Sequence, residues 1–109
     1  MPDSLYLFTG PDCPKCEKVI SELVSAGIFH EDQAESLTIR PQTVPRGESL
    51  LWVFCSGTVD GLAAAAFHDV YSVPTLLIMD NGTALKRIVG DNEQITDTLK
   101  KWAAKKDFF

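Results

Sequence analysis

The sequence predicts a single α/β domain, residues 1–109, in which a central four-stranded mixed sheet is flanked by helices in the order β-α-β-α-β-β-α. Three observations carry this. Two short apolar runs, Leu5-Tyr6-Leu7-Phe8 and Leu50-Leu51-Trp52-Val53-Phe54-Cys55, each lead through a turn into a stretch of helical periodicity. Two further strand-like runs bracket Asp80-Asn81-Gly82-Thr83, where Asn-Gly is a strong hairpin signal. A chain of 109 residues is long enough to bury one modest core.

The elements follow in order. Thr9-Gly10-Pro11 ends the first strand. Val19, Ile20, Leu23, Val24 and Ala26 then recur at helical spacing among polar residues, and Gly27 is placed to stop that helix. The stretch from about residue 30 to 49 reads as an insertion: Pro41, Pro45 and Gly47 interrupt it, and Leu37-Thr38-Ile39-Arg40 is no more than a short edge strand. After the second strand, a helix is expected over about 59–70, capped by Thr58 or Asp60, with Leu62, Ala66 and Val70 on one face. The last helix starts near Asp91-Asn92 and buries Ile95, Leu99 and Trp102. The first β-α-β should form a right-handed parallel unit, and the hairpin adds antiparallel strands.

Composition narrows the function. The net charge of −5 disfavours nucleic-acid binding, which needs a basic footprint. The longest apolar stretches, such as Val73-Pro74-Thr75-Leu76-Leu77-Ile78-Met79, are too short to span a bilayer. Met1-Pro2-Asp3-Ser4 lacks the basic start of a secretory signal and the apolar run behind it is short, so the expected location is cytoplasmic; the expected state is a monomer. Three cysteines are too few for a secreted disulfide framework, and two of them sit three residues apart.

That pair, Cys13-Pro14-Lys15-Cys16, falls just after a buried strand and in the first turn of a helix. Unpaired backbone N–H groups and the helix dipole favour a thiolate there, so Cys13 should ionise below the free-cysteine value of about 8.5. Lys15 adds a positive charge, which Asp12 and Glu17 oppose. Cys13 is the exposed candidate nucleophile, and Cys16, one turn in, is the candidate resolving thiol. Pro14 suits the first helical position and restricts the loop between the sulfurs. The rival reading is half of a zinc site, with Cys55, His30 and His68 as the remaining soft or imidazole ligands; no second Cys-x-x-Cys completes it.

The segment Tyr71-Ser72-Val73-Pro74-Thr75, about sixty residues downstream, then adds a resemblance. Val-Pro-Thr entering a strand after a Cys-x-x-Cys looks like the cis-proline loop of the thioredoxin superfamily. The resemblance covers most of the chain, and with it comes a thioredoxin-like fold. It implies that Pro74 is cis and faces the cysteine pair, that Val73 and Thr75 line a substrate groove with Pro14 and Lys15, and that the protein reduces protein disulfides. Cys-Pro-x-Cys and the short N-terminus look more like glutaredoxin-like redoxins. That subtype implies a glutathione or anion site at Gly90-Asp91-Asn92.

Some positions depart from the family pattern. Asp12 stands where thioredoxins have tryptophan, and Leu7 where they have a buried acid. Thr9-Gly10-Pro11-Asp12 carries none of the basic residues that glutaredoxins use to hold glutathione, and Lys15 replaces their aromatic residue. The expected electron donor is therefore a thioredoxin-reductase-type flavoenzyme or glutathione, with no cofactor beyond the cysteine pair and no resident metal. One alternative is a glutathione-dependent glutaredoxin, and the alternative of another class is a thioredoxin-fold binding module without turnover that holds metal between Cys13 and Cys16. Cys55 reads as a buried small hydrophobe or a third redox thiol. His30 and His68 read as solvated or capping residues, and Trp52 and Trp102 as core aromatics.

Overall fold

The structure is a computed structural model that describes residues 3–28, 40–43 and 50–104. Strand β1 spans Ser4–Thr9, helix α1 Pro14–Ser25, β2 Arg40–Thr43, β3 Leu50–Cys55, helix α2 Val59–Phe67, β4 Thr75–Asp80, β5 Thr83–Val89 and helix α3 Asn92–Ala103. Among the described residues the strands form one sheet in the order β2-β3-β1-β4-β5. The α/β order expected from the sequence is present, with one strand more than the four expected.

The extra strand, β2, lies in the insertion-like segment and begins where the expected Leu37-Thr38-Ile39-Arg40 run ends; Leu37 to Ile39 lie outside the described residues. Among the described residues it pairs only with β3, antiparallel, which puts it at the edge, the location where a sheet tolerates a proline such as Pro41.

β1 and β3 run parallel, with Leu7 opposite Val53 and Thr9 opposite Cys55, so their C-terminal ends share one edge of the sheet. β4 pairs antiparallel with β1, and β5 with β4 through the Asn81-Gly82 turn. Both turn residues take positive φ, 50° and 81°, which an Asn-Gly pair accepts readily.

Alternation along the strands divides the core. Leu5, Leu7, Leu51, Val53, Leu76 and Ile78 pack with Val19 and Leu23 of α1 and with Ile95, Leu99 and Trp102 of α3. Phe8, Phe54, Leu77 and Met79 face the other way, towards Ala65 and Val70, with half-buried Tyr6 and Trp52 beside them. Between α1 and α3, Lys100 pairs with Glu22 at 3.1 Å on the surface.

Leu62 and Ala66 do share one face of α2, but it is not the buried one. Gly61 and Ala65 face the sheet, while Leu62 and Ala66 face solvent. A Cβ at position 61 would overlap the Cys55 carbonyl, so the helix axis approaches β3 as only a glycine permits. Close approach through small residues thus decides the buried face, and the larger Leu62 is left outside. The helix ends at Phe67, with His68 as its C-cap. Thr58 is the N-cap: its hydroxyl accepts the Gly61 N–H at 3.0 Å and donates to the Cys55 carbonyl at 2.8 Å. No helix among the described residues is long and apolar enough to cross a membrane.

Candidate active site

The site is built where β1 hands the chain to α1. Asp12 takes a left-handed φ of 51°, a conformation that Asp tolerates better than most residues, and this reverses the chain so that Cys13 becomes the N-cap of α1. Pro14 occupies the first turn, where its missing N–H costs nothing. Cys13 and Cys16 are joined in a disulfide. The two sulfurs differ in access: Cys13 is half-buried, and Cys16 is buried beneath the helix. The Cys16 N–H donates to Cys13 Sγ at 3.1 Å, the capping bond that a serine or aspartate oxygen would otherwise accept.

The loop before β4 faces this pair. The Val73–Pro74 peptide bond is cis, Pro74 is buried, and the Val73 carbonyl oxygen lies 3.8 Å from Cys13 Sγ. Gly90 closes the far side, its N–H donating to the Pro74 carbonyl at 2.8 Å. Lys15 is exposed and reaches the Gly90 carbonyl at 3.4 Å. Five of the residues singled out from the sequence, Cys13, Lys15, Val73, Pro74 and Gly90, therefore converge, although nearly sixty residues or more separate the two groups.

Thr75 departs from the groove-lining role implied for it. It is 1 % exposed, and its hydroxyl donates to the Ser72 carbonyl at 2.8 Å. Its backbone pairs with Phe8 on one side and Val89 on the other. Its side chain therefore braces the loop from within. Asp91 caps α3 with its own carboxylate, which accepts the Gln94 N–H at 3.0 Å. A ligand carboxylate directed at that helix end would meet this negative charge, while Asn92 beside it is half-buried.

Gly10 is a site residue that sequence reasoning treated only as a turn. A Cβ there would come within 2.7 Å of Ser56 Oγ and 3.1 Å of a Val73 methyl, so glycine lets the end of β1 pass beneath the loop. The local signal, Gly-Pro after a strand, gives no hint of the distant contact.

Cys55 ends β3 on the same edge as the disulfide, but it is only 6 % exposed and unpaired with another cysteine. His68 packs edge-on against Tyr6, with ring centroids 5.2 Å apart, and Phe67 flanks it at 5.0 Å. Burial, and then the Arg87 guanidinium, hold its imidazole below the ordinary 6.5, with Asp69 opposing. His30 lies outside the described residues. No cluster of three or more metal-ligating side chains is found among the described residues.

No family model matches the sequence, and no curated protein matches it either. Among solved structures, the chain is similar to thioredoxin 1 from the thermophilic eubacterium Thermosipho africanus TCF52B. The two superpose with a TM-score of 0.55 over 94% of this chain and 96% of that one, at 13% sequence identity. The fold is thioredoxin-like. The likeness spans nearly the full length of both chains, and this chain places a Cys-x-x-Cys disulfide at the start of its first helix.

Proposed function

We propose that the protein is a thiol–disulfide oxidoreductase that reduces protein disulfides through Cys13 and Cys16. The observation that carries this reading is the half-buried Cys13 sulfur at the N-cap of α1, accepting the Cys16 N–H at 3.1 Å, with the Val73 carbonyl 3.8 Å away. In the reduced protein, that N–H and the helix end favour thiolate over thiol. The Cys13 thiolate attacks one sulfur of a substrate disulfide, expelling the other as a thiolate and leaving a mixed disulfide. The Cys16 thiolate then attacks Cys13 Sγ, expelling the second substrate thiolate and closing Cys13–Cys16. Two electrons pass to the substrate, and an external dithiol or a reductase returns them.

The loop at Val73 and Pro74 suits an extended substrate, because its backbone beside the sulfur can pair with a strand-like segment. Pro14 and Lys15, both exposed, follow the attacked sulfur in the first turn of α1 and are open to a substrate. A protein donor fits better than glutathione, since the Asp91 carboxylate occupies the helix end that would receive a glutathione carboxylate. The proposed setting is the cytoplasm, where such a pair works as a reductant.

Insulin reduction with dithiothreitol as donor tests the proposal. The wild-type chain should accelerate precipitation of the free B chain, and Cys13→Ser should not. Equal rates for the two proteins, or no acceleration by wild type, would overturn it.

A further inference from the structure

Helix α2 turns its large apolar residues outward. Val59, Leu62, Ala63, Ala66 and Phe67 fall at i, i+3, i+4, i+7 and i+8, the spacing of a single helical face, and all of them are exposed. Val59 is 85 % exposed, Leu62 60 % and Phe67 82 %, and Tyr71 just beyond the helix is 87 % exposed. Asp60 is the one charged residue in α2, on a chain with 23% charged residues overall. The Gly61 contact with the Cys55 backbone explains why small residues face inward, but it does not explain why the outward face is apolar. Alanine, lysine or glutamate would satisfy the helix equally well there.

This face is continuous with the candidate active site. Leu62 and Ala65 of α2, together with Phe8, Val70, Tyr71 and Val73, line a cavity of about 170 Å³. Val73 is the residue whose carbonyl lies 3.8 Å from Cys13 Sγ. A largely apolar surface therefore runs from Val73, beside the disulfide, through the cavity and along α2 to Phe67, with the Asp69 carboxylate, which accepts the Tyr71 hydroxyl at 3.0 Å, at its margin.

Its size indicates the kind of occupant. Four large side chains exposed to this degree present roughly 400–600 Å² of apolar area, the upper range for a patch on a monomer. An obligate dimer buries at least about 1,000 Å² from each partner, roughly 65% of it apolar, whereas weak redox encounters bury much less. The area falls short of a permanent dimer and suits a partner that docks, exchanges and leaves.

We propose that the outward face of α2, with Tyr71, is the docking surface for the disulfide-bearing protein partner, and that it selects cystines flanked by bulky apolar residues. This rests on the oxidoreductase reading above. The face holds the partner while its disulfide lies against Cys13, so it acts on encounter and leaves the chemical step to the cysteines.

Two disulfide-linked peptide dimers test the proposal, one with Leu and Phe beside the cystine and one with Ser at the same positions. The full chain should show kcat/KM at least about tenfold higher for the apolar dimer, which corresponds to roughly 60 Å² of buried apolar surface. In Leu62→Ser/Phe67→Ser the ratio of the two should fall to within about twofold. Tyr71→Ser, which lies outside the helix, should lower the ratio independently should the double variant fold poorly. An unchanged ratio in the variants, or no preference in wild type, would overturn the proposal. A concentration-dependent dimer abolished by Phe67→Ser would also overturn it, in favour of a second copy as occupant. Exchange with neither peptide would remove the oxidoreductase reading itself, a result distinct from exchange without preference.

Discussion

The amide N–H of Cys16 points at the sulfur of Cys13 across 3.1 Å, so the helix that buries one cysteine caps itself on the other. An N-cap acceptor that is a sulfur gains more as a thiolate than as a thiol, since charge strengthens the hydrogen bond and suits the positive end of the helix. Reduced Cys13 should therefore react with iodoacetamide with a pH midpoint below the free-cysteine value of about 8.5, while Cys16 stays unmodified in the native state. A midpoint at or above that value would show that the helix end contributes nothing.

Gly61→Ala sets two effects against each other. In an open helix, alanine is worth about 1 kcal/mol over glycine. Here the new methyl overlaps the Cys55 carbonyl, which is backbone and cannot swing aside, and overpacking of that kind costs roughly 1–3 kcal/mol. The steric cost should win, so the urea midpoint should fall. A rise would mean that α2 stands further from β3 than described.

The same contact marks the limit of what the sequence discloses. Strands β1, β3, β4 and β5 are legible because continuous apolar runs and an Asn-Gly turn are local signals. The cysteine pair is legible because strand, turn and helix adjoin it in sequence. The inner face of α2 is not, because hydrophobic periodicity favours Leu62, whereas the distance between α2 and β3 favours Gly61 and Ala65. Gly10 beneath Val73 and the inward hydroxyl of Thr75 also depend on contacts that no local pattern records. β2 is obscured by Pro41, which only an edge position excuses.

His68 should make stability depend on pH. Burial and Arg87 hold its imidazole below 6.5, so the unfolded chain binds its proton first. The stabilisation associated with neutral His68 is present above pH 6.5 and is lost as pH falls from there through the folded value. The urea midpoint of the wild type should drop between about pH 7.5 and about 5.5, above the range where ordinary carboxylates titrate. His68→Gln should flatten that drop, and an identical slope in both proteins would assign it elsewhere.

Asp91→Ala separates two roles for the start of α3. Loss of the bond to the Gln94 N–H should cost about 1 kcal/mol, read as a lower denaturation midpoint. With its own carboxylate gone, the helix end becomes more favourable for a foreign anion. Glutathione should therefore reduce the Cys13–Cys16 bond no more slowly in Asp91→Ala than in wild type. A marked slowing would identify Asp91 as part of a glutathione site.

The half-buried sulfur of Cys13 and the buried one of Cys16 imply an order of attack, and trapping reads that order directly. Cys16→Ser and Cys13→Ser are each incubated, reduced, with a disulfide-bonded protein, and the adducts are mapped by mass spectrometry without reductant. Cys16→Ser should accumulate a dithiothreitol-sensitive mixed disulfide at Cys13, and Cys13→Ser should accumulate none. An adduct on Cys16, or no adduct in either variant, would contradict the dithiol mechanism.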